Sequence, residues 1–117
     1  MQLTVIFQSN VTVHLPVQYN HLVQGLIYHG MENPLLRQYL HEHGFPFEKR
    51  RFKLFTFSRL MGQKASYHQE KGQLALTPPL RLVICSPIPF ILQELGTGFL
   101  RRGHVRLGQA QLEVSQI

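Results

Sequence analysis

The stretch "LRLVICSPIPFILQELGTGFLRRGHVRLGQAQLEVSQI", residues 80–117, carries the reading that decides the fold. It opens on "LRLVICS", an apolar run of strand length with β-branched residues in it. Ser86 then stands as an N-cap with Pro87 at the first helical position. A serine hydroxyl can accept an orphan helix N–H, and proline has no N–H to leave unpaired. The helix is expected to run through "IPFILQELGTGFLRR", weakened around Gly96 and Gly98, and "HVRLGQAQLEVSQI" is expected to be a closing strand. Just upstream, "QLALT" is separated from "LRLVICS" by Pro78-Pro79, giving either one interrupted strand or two short ones.

Working toward the N-terminus, "GQKASYHQEKG" reads as a polar hairpin loop, and residues 51–59 as a strand. Before it, "PLLRQYLHEH" places Leu35, Leu36, Tyr39 and Leu40 on one helical face, with Pro34 in the first turn and Gly44 at the end. The segment "YNHLVQGLIYHGM" spaces Leu22, Val23, Leu26 and Ile27 as a helix face, with Gly30 as its stop. The opening "MQLTVIFQSNVTVHLPV" alternates Leu3, Val5 and Phe7, then Val11, Val13 and Leu15. That predicts a strand bent near Ser9-Asn10 and ended by Pro16. The order is β-α-β-β-α-β with the first helix split in two. The expected fold is α+β and ferredoxin-like, an antiparallel sheet with helices on one face and the other open to a partner.

A chain of 117 residues, 44% of them hydrophobic, supports one folded domain over 1–117. Twelve Lys and Arg against six Asp and Glu give a formal charge of +6, which points to a polyanionic partner, nucleic acid ahead of a membrane surface. The single cysteine, Cys85, cannot form an internal disulfide, and its apolar surroundings predict a buried structural thiol in a reducing, cytoplasmic setting. No apolar run approaches the about 18 residues a membrane helix needs, so no membrane partner is expected.

Residues advance by about 100° around a helix, which sorts the candidate chemistry. Tyr28 falls roughly opposite the face made by Leu22, Val23, Leu26 and Ile27, beside His21, Gln24 and Gly25. His41 falls opposite the second apolar face, near Arg37, whereas His43 extends that face. The expected outward pair is thus Tyr28 and His41. They precede a run of Lys49, Arg50 and Arg51 and a segment carrying Lys53, Phe55, Phe57 and Arg59. Each alone has a bland alternative: surface for the tyrosine and histidine, a solvated edge for the charges, core for the phenylalanines. Metal chemistry is not expected, because His41 and His43 in "HEH" point to different helix faces and no H-E-x-x-H motif or cysteine pair is present. "GTGFLRRG" follows a helix rather than a strand, against a dinucleotide site. No cofactor is therefore called for.

RNA offers a reaction that needs none of these. Its 2′-hydroxyl can attack the adjacent phosphate, leaving a 2′,3′-cyclic phosphate and a 5′-hydroxyl, if the protein moves two protons and stabilises the phosphorane. Histidine, with a reference pKa of about 6.5, can serve either proton step, and tyrosine, at about 10, serves as a base only beside a cation.

Three segments carry a resemblance: "LPVQYNHLVQGLIYHG" (15–30), "YLHEHGF" (39–45) and "KRRFKLFTFSRLMG" (49–62). In order and spacing they resemble the N-terminal half of the CRISPR-associated endoribonucleases that process precursor CRISPR RNA. This is the sixth-numbered Cas family of the repeat-associated mysterious protein (RAMP) superfamily. The resemblance implies a RAMP-type ferredoxin-like domain, CRISPR repeat RNA as partner, and cleavage without metal. It implies Tyr28 as base, His41 as acid and Lys53 as stabiliser of the phosphorane, with the two proton roles exchangeable. Lys49, Arg50, Arg51 and Arg59 would hold RNA phosphates. The family's second ferredoxin-like domain is not expected within these residues, so a homodimer or other Cas proteins are the further partners implied. Two other readings stand beside it. One is a non-catalytic RNA-binding module with Phe55 and Phe57 stacking bases on an open sheet face, the other an assembly subunit.

Overall fold

The computed structural model describes residues 1–31, 45–47, 50–52 and 55–117. The helix expected at "PLLRQYLHEH", with His41 and His43, lies outside the described residues, as do Lys49 and Lys53.

The structure is a mixed α+β arrangement of antiparallel sheets with, among the described residues, two α-helices. Strands β1 (Gln2–Gln8), β5 (Thr56–Phe57), β8 (Leu80–Cys85), β9 (His104–Leu107) and β10 (Ala110–Gln116) form the main sheet, in the order β5-β8-β1-β10-β9. β2 (Val13–Pro16), β6 (Lys64–His68) and β7 (Gln73–Thr77) form a second, in the order β2-β7-β6. β3 (Phe45–Phe47) and β4 (Arg50–Phe52) pair with each other. The helices are α1 (Asn20–Gly30) and α2 (Pro89–Arg102).

Strand alternation sets the core. Val5 and Phe7 on β1 stand opposite Leu82 and Leu80 on β8, and all four are fully buried. The intervening Thr4, Arg81 and Cys85 face outward. Cys85 is therefore exposed rather than a buried thiol, because it shares the parity of Arg81 and not that of Leu80, Leu82 and Ile84. α2 lies across β1, its Phe99 meeting Phe7 edge to face with centroids 6.2 Å apart. α1 packs on α2 and β9.

Four boundaries differ from expectation. The segment at 51–59 divides between two sheets, β4 pairing with β3 and β5 with β8. "GQKASYHQEKG" is not a loop but contains β6, paired along its whole length with β7. Its polarity has a simple cause: all five residues are exposed on an edge strand, so no apolar alternation marks it. The closing strand is a hairpin, β9 and β10 joined through Gly108-Gln109, with Gly108 at φ +61°. α2 begins at Pro89, two residues later than expected, and the Ser86 hydroxyl accepts the N–H of Ile88 (3.1 Å) in the turn ahead of it. The bend at Ser9-Asn10 is a change of sheet, from β1 to β2.

α1 ends where α2 crosses it. A Cβ placed on Gly30 would lie 2.5 Å from Phe99 Cε1 and 2.8 Å from Cζ, and that ring is held by Phe7. Gly30→Ala gains at most about 1 kcal/mol of helix propensity, whereas forcing an extra carbon into a packed core costs about 1–3 kcal/mol. The packing cost wins, and urea unfolding is expected to show net destabilisation.

Candidate nucleic-acid interface

Tyr28 is the one expected catalytic residue within the described residues. Its place corrects the helical-wheel reading: it is 5% exposed, its hydroxyl is buried, and its ring meets Phe55 edge to face at 5.6 Å. The wheel treated α1 as having one apolar face, but α1 is also covered on the side where Phe55 lies. His21 alone of the four residues placed on that side is exposed. Phe55 and Phe57 are half-buried against the core, so they are not a stacking surface on an open sheet face. Arg50 and Arg51 belong to β4, which pairs with β3 in a separate two-stranded sheet, whereas Arg59 follows β5 of the main sheet.

Arg59 is the expected RNA contact whose surroundings are clearest. Backbone and side-chain bonds on both sides fix the chain that carries it. Ser58 donates its N–H to the Val83 carbonyl (2.8 Å), and the Ser58 hydroxyl accepts the Val83 N–H (3.0 Å). On the other side the buried Tyr19 hydroxyl accepts the Leu60 N–H (3.0 Å), tying this segment to the residue that precedes α1. Arg59 is exposed between these anchors.

The result is a groove of 840 Å³ between the start of α1 and the β6–β7 hairpin. Arg59, His21 and the 57% exposed Tyr67 line its walls, with Gln18 and Asn20 alongside and Leu74 and Leu76 among its apolar residues. No carboxylate lines it. No side chain caps α1 and its first turn holds no acid; the N–H groups of Leu22 and Val23 both go to the Tyr19 carbonyl. The positive end of the helix dipole therefore faces the groove without a competing negative charge. A guanidinium and a helix N-terminus suit a phosphate, an exposed phenol ring suits a flat base, and the two amides offer donors and acceptors. Tyr67 is not among the sequence candidates, since "KASYHQEKG" has no apolar alternation; an aromatic inside that polar run is its only signal.

Fold and groove together define a class, an α+β domain with antiparallel sheets and a groove that holds one guanidinium and no carboxylate. The model of the family described as CRISPR-associated protein Cas6, N-terminal, matches residues 14–117, and the chain belongs to that family. Among solved structures it is similar to a CRISPR associated protein Cas6 (24% identity, TM-score 0.69) and to an RAMP protein described as binding different RNA substrates (21%, 0.74). It is also similar to the product of a Cas6-related gene from Pyrococcus furiosus (22%, TM-score 0.73). In each case the match covers 99% of this chain and 46% of the other, so the chain spans about half the length of these structures. No curated protein matches it.

Proposed function

We propose that this chain is the RNA-gripping and RNA-cleaving N-terminal half of a CRISPR repeat endoribonuclease. Membership of the Cas6 family over residues 14–117 carries the reading, and the groove at Arg59 and Tyr67 supports it. In this reading the main sheet is the family's ferredoxin-like core, β1, α1, β5, β8, α2 and β10 supplying the β-α-β-β-α-β order, with β9 as an added edge. The protein works in the cytoplasm, where precursor CRISPR RNA is made. A second copy of the chain or another Cas protein completes the grip.

The 2′-hydroxyl oxygen at the cut site attacks the neighbouring phosphorus, and its proton passes to a base. The P–O5′ bond breaks as an acid protonates the leaving oxygen, giving a 2′,3′-cyclic phosphate and a 5′-hydroxyl. His41 is the acid, Tyr28 the base and Lys53 the cation on the phosphorane. Lys49, Arg50, Arg51 and Arg59 hold flanking phosphates. No metal enters the reaction. Tyr28 comes with a constraint, since its buried hydroxyl acts on a ribose only where bound RNA reaches it. Tyr28→Phe keeps the packing and removes the proton; an unchanged cleavage rate would assign Tyr28 to the core alone.

The test is to incubate a labelled CRISPR repeat RNA with this chain in excess EDTA and to analyse the product ends. A cyclic-phosphate terminus is expected. Binding without cleavage would leave an RNA-binding module, and neither would remove the RNA reading. Binding also probes the groove. Tyr67→Ala is expected to weaken it by about 1–3 kcal/mol, the worth of one stacked base. Arg59→Gln is expected to flatten the salt dependence by about 0.7 in slope, one phosphate on a single strand. An affinity and slope unchanged in both variants would place the RNA elsewhere.

A further inference from the structure

α1 runs between two hollows whose linings each hold arginine and histidine. His21, at its start, lines the groove of Arg59; His29 and Gly30, at its end, line a pocket of 490 Å³ at the outer edge of β9. Eight residues of helix rise separate the two histidines by about 12 Å along the axis. Arg102, the last residue of α2, and Arg106 of β9 give this second pocket two guanidiniums, with the His104 imidazole between them in the chain. Gln109 and Gln111 add amides, Leu26 and Val105 an apolar side, and no carboxylate lines it.

The ladder register adds backbone donors and acceptors in equal number. The Val114 N–H bonds the Gly103 carbonyl, and Leu107 stands opposite Ala110 at the hairpin end. Residues 103, 105 and 107 therefore direct their backbone groups toward β10. His104 and Arg106, in the alternate positions, turn their N–H and C=O groups to the free edge. Two backbone N–H groups thus border the same pocket that their side chains line.

The charge balance decides what fits. Both helices end at this pocket, and each C-terminus presents roughly half a negative charge. Together these offset about one of the two guanidiniums and leave the lining net positive; Glu113, opposite His104 in the ladder, is not part of that lining. The helix-end and strand-edge carbonyls offer a cation acceptors, but it would meet two guanidiniums, whereas an oxyanion finds those guanidiniums and the side-chain amides together.

We propose that this pocket is a phosphate-binding site, separate from the Arg59 groove and at the opposite end of α1. Its ligand is a phosphate group, supplied either by the backbone of the RNA proposed above or by a free phosphate or nucleotide. The RNA source rests on the proposed function; the phosphate chemistry does not.

The experiment compares the full chain with R102Q/R106Q, whose changes fall on exposed side chains, and confirms folding by circular dichroism. CRISPR repeat RNA is titrated across a salt series, and inorganic phosphate is titrated while the His29 and His104 imidazole signals are followed by NMR. With an RNA phosphate in the pocket, the variant's salt slope is expected to be shallower by about 0.7 while binding persists. Phosphate is expected to shift both imidazole signals in the wild type and not in the variant. A variant with the wild-type slope, together with phosphate-shifted signals, would assign the pocket to free phosphate or nucleotide. RNA bound with an unchanged slope and imidazoles blind to phosphate would overturn the site while leaving the RNA function intact. A wild type that ignores RNA yet answers phosphate would keep the site and remove the RNA function.

Discussion

His41→Ala is expected to slow single-turnover cleavage of a CRISPR repeat RNA by about 10²–10⁴-fold, the usual worth of a positioned general acid or base. In the proposed reaction the leaving group is an alkoxide, so losing an acid at His41 would strand charge on the 5′-oxygen and raise the barrier by about 3–5 kcal/mol. Binding should change little, because a single imidazole is a small part of an interface dominated by phosphate charge. A 2′-deoxy nucleotide at the cut site removes the attacking oxygen and is expected to abolish cleavage while binding remains. The pair separates the proposal from its rivals. An activated-water nuclease would cut the deoxy substrate, and a chain without catalysis would show no difference between His41 and alanine. Cleavage at the wild-type rate by His41→Ala would sink the assignment of the acid.

Phe99→Ala is the change expected to cost the fold most, about 3–5 kcal/mol. Phe99 is fully buried, its ring sits edge to face on Phe7, and its far end fills the space that Gly30 leaves open at the crossing of α1 and α2. Removing the ring opens a void that three elements border at once, and α1, α2 and β1 cannot all collapse into it. Against the 5–15 kcal/mol total typical of a domain, this is a large share. Equilibrium urea unfolding reads it as a lower midpoint at similar slope. Leu100→Ala is the control: the neighbouring leucine is 64% exposed, and its loss is expected to stay within about 0.5 kcal/mol. Equal effects at the two positions would mean that the helix is not seated on Phe99.

The two hollows at the ends of α1 change what an RNA-binding experiment on this chain should show. A strand held only at Arg59 would lose most of its salt sensitivity in Arg59→Gln. A strand that also reaches the β9 edge keeps part of it, and R102Q/R106Q removes a further share independently, since the two sites share no residues.

Local pattern was enough for much of this molecule. Alternating Leu3, Val5 and Phe7 specified β1, because a half-buried strand repeats every two residues. Gly30, expected as the stop of α1, is its last helical residue, with Met31 as the cap. The segments "GLIY", "YLHE" and "KLFTFS" were enough to point to the family that the comparison over residues 14–117 shows. Arg59 was legible as a cation next to aromatic residues.

Tertiary structure alone decided the rest, wherever the environment comes from residues distant in the chain. Tyr28 looked outward on an isolated helix and is buried, because a ring 27 residues later, Phe55, covers the side that the wheel left open. β6 carries no periodicity, since an edge strand with both faces in solvent has no burial to record; only its pairing with β7 defines it. The Arg59 groove and the β9 pocket each gather residues from separated segments, and no spacing rule encodes such gatherings. Sequence determines which side chains are present and which local shapes they favour. Which of them meet is settled only when the sheets and helices close on one another.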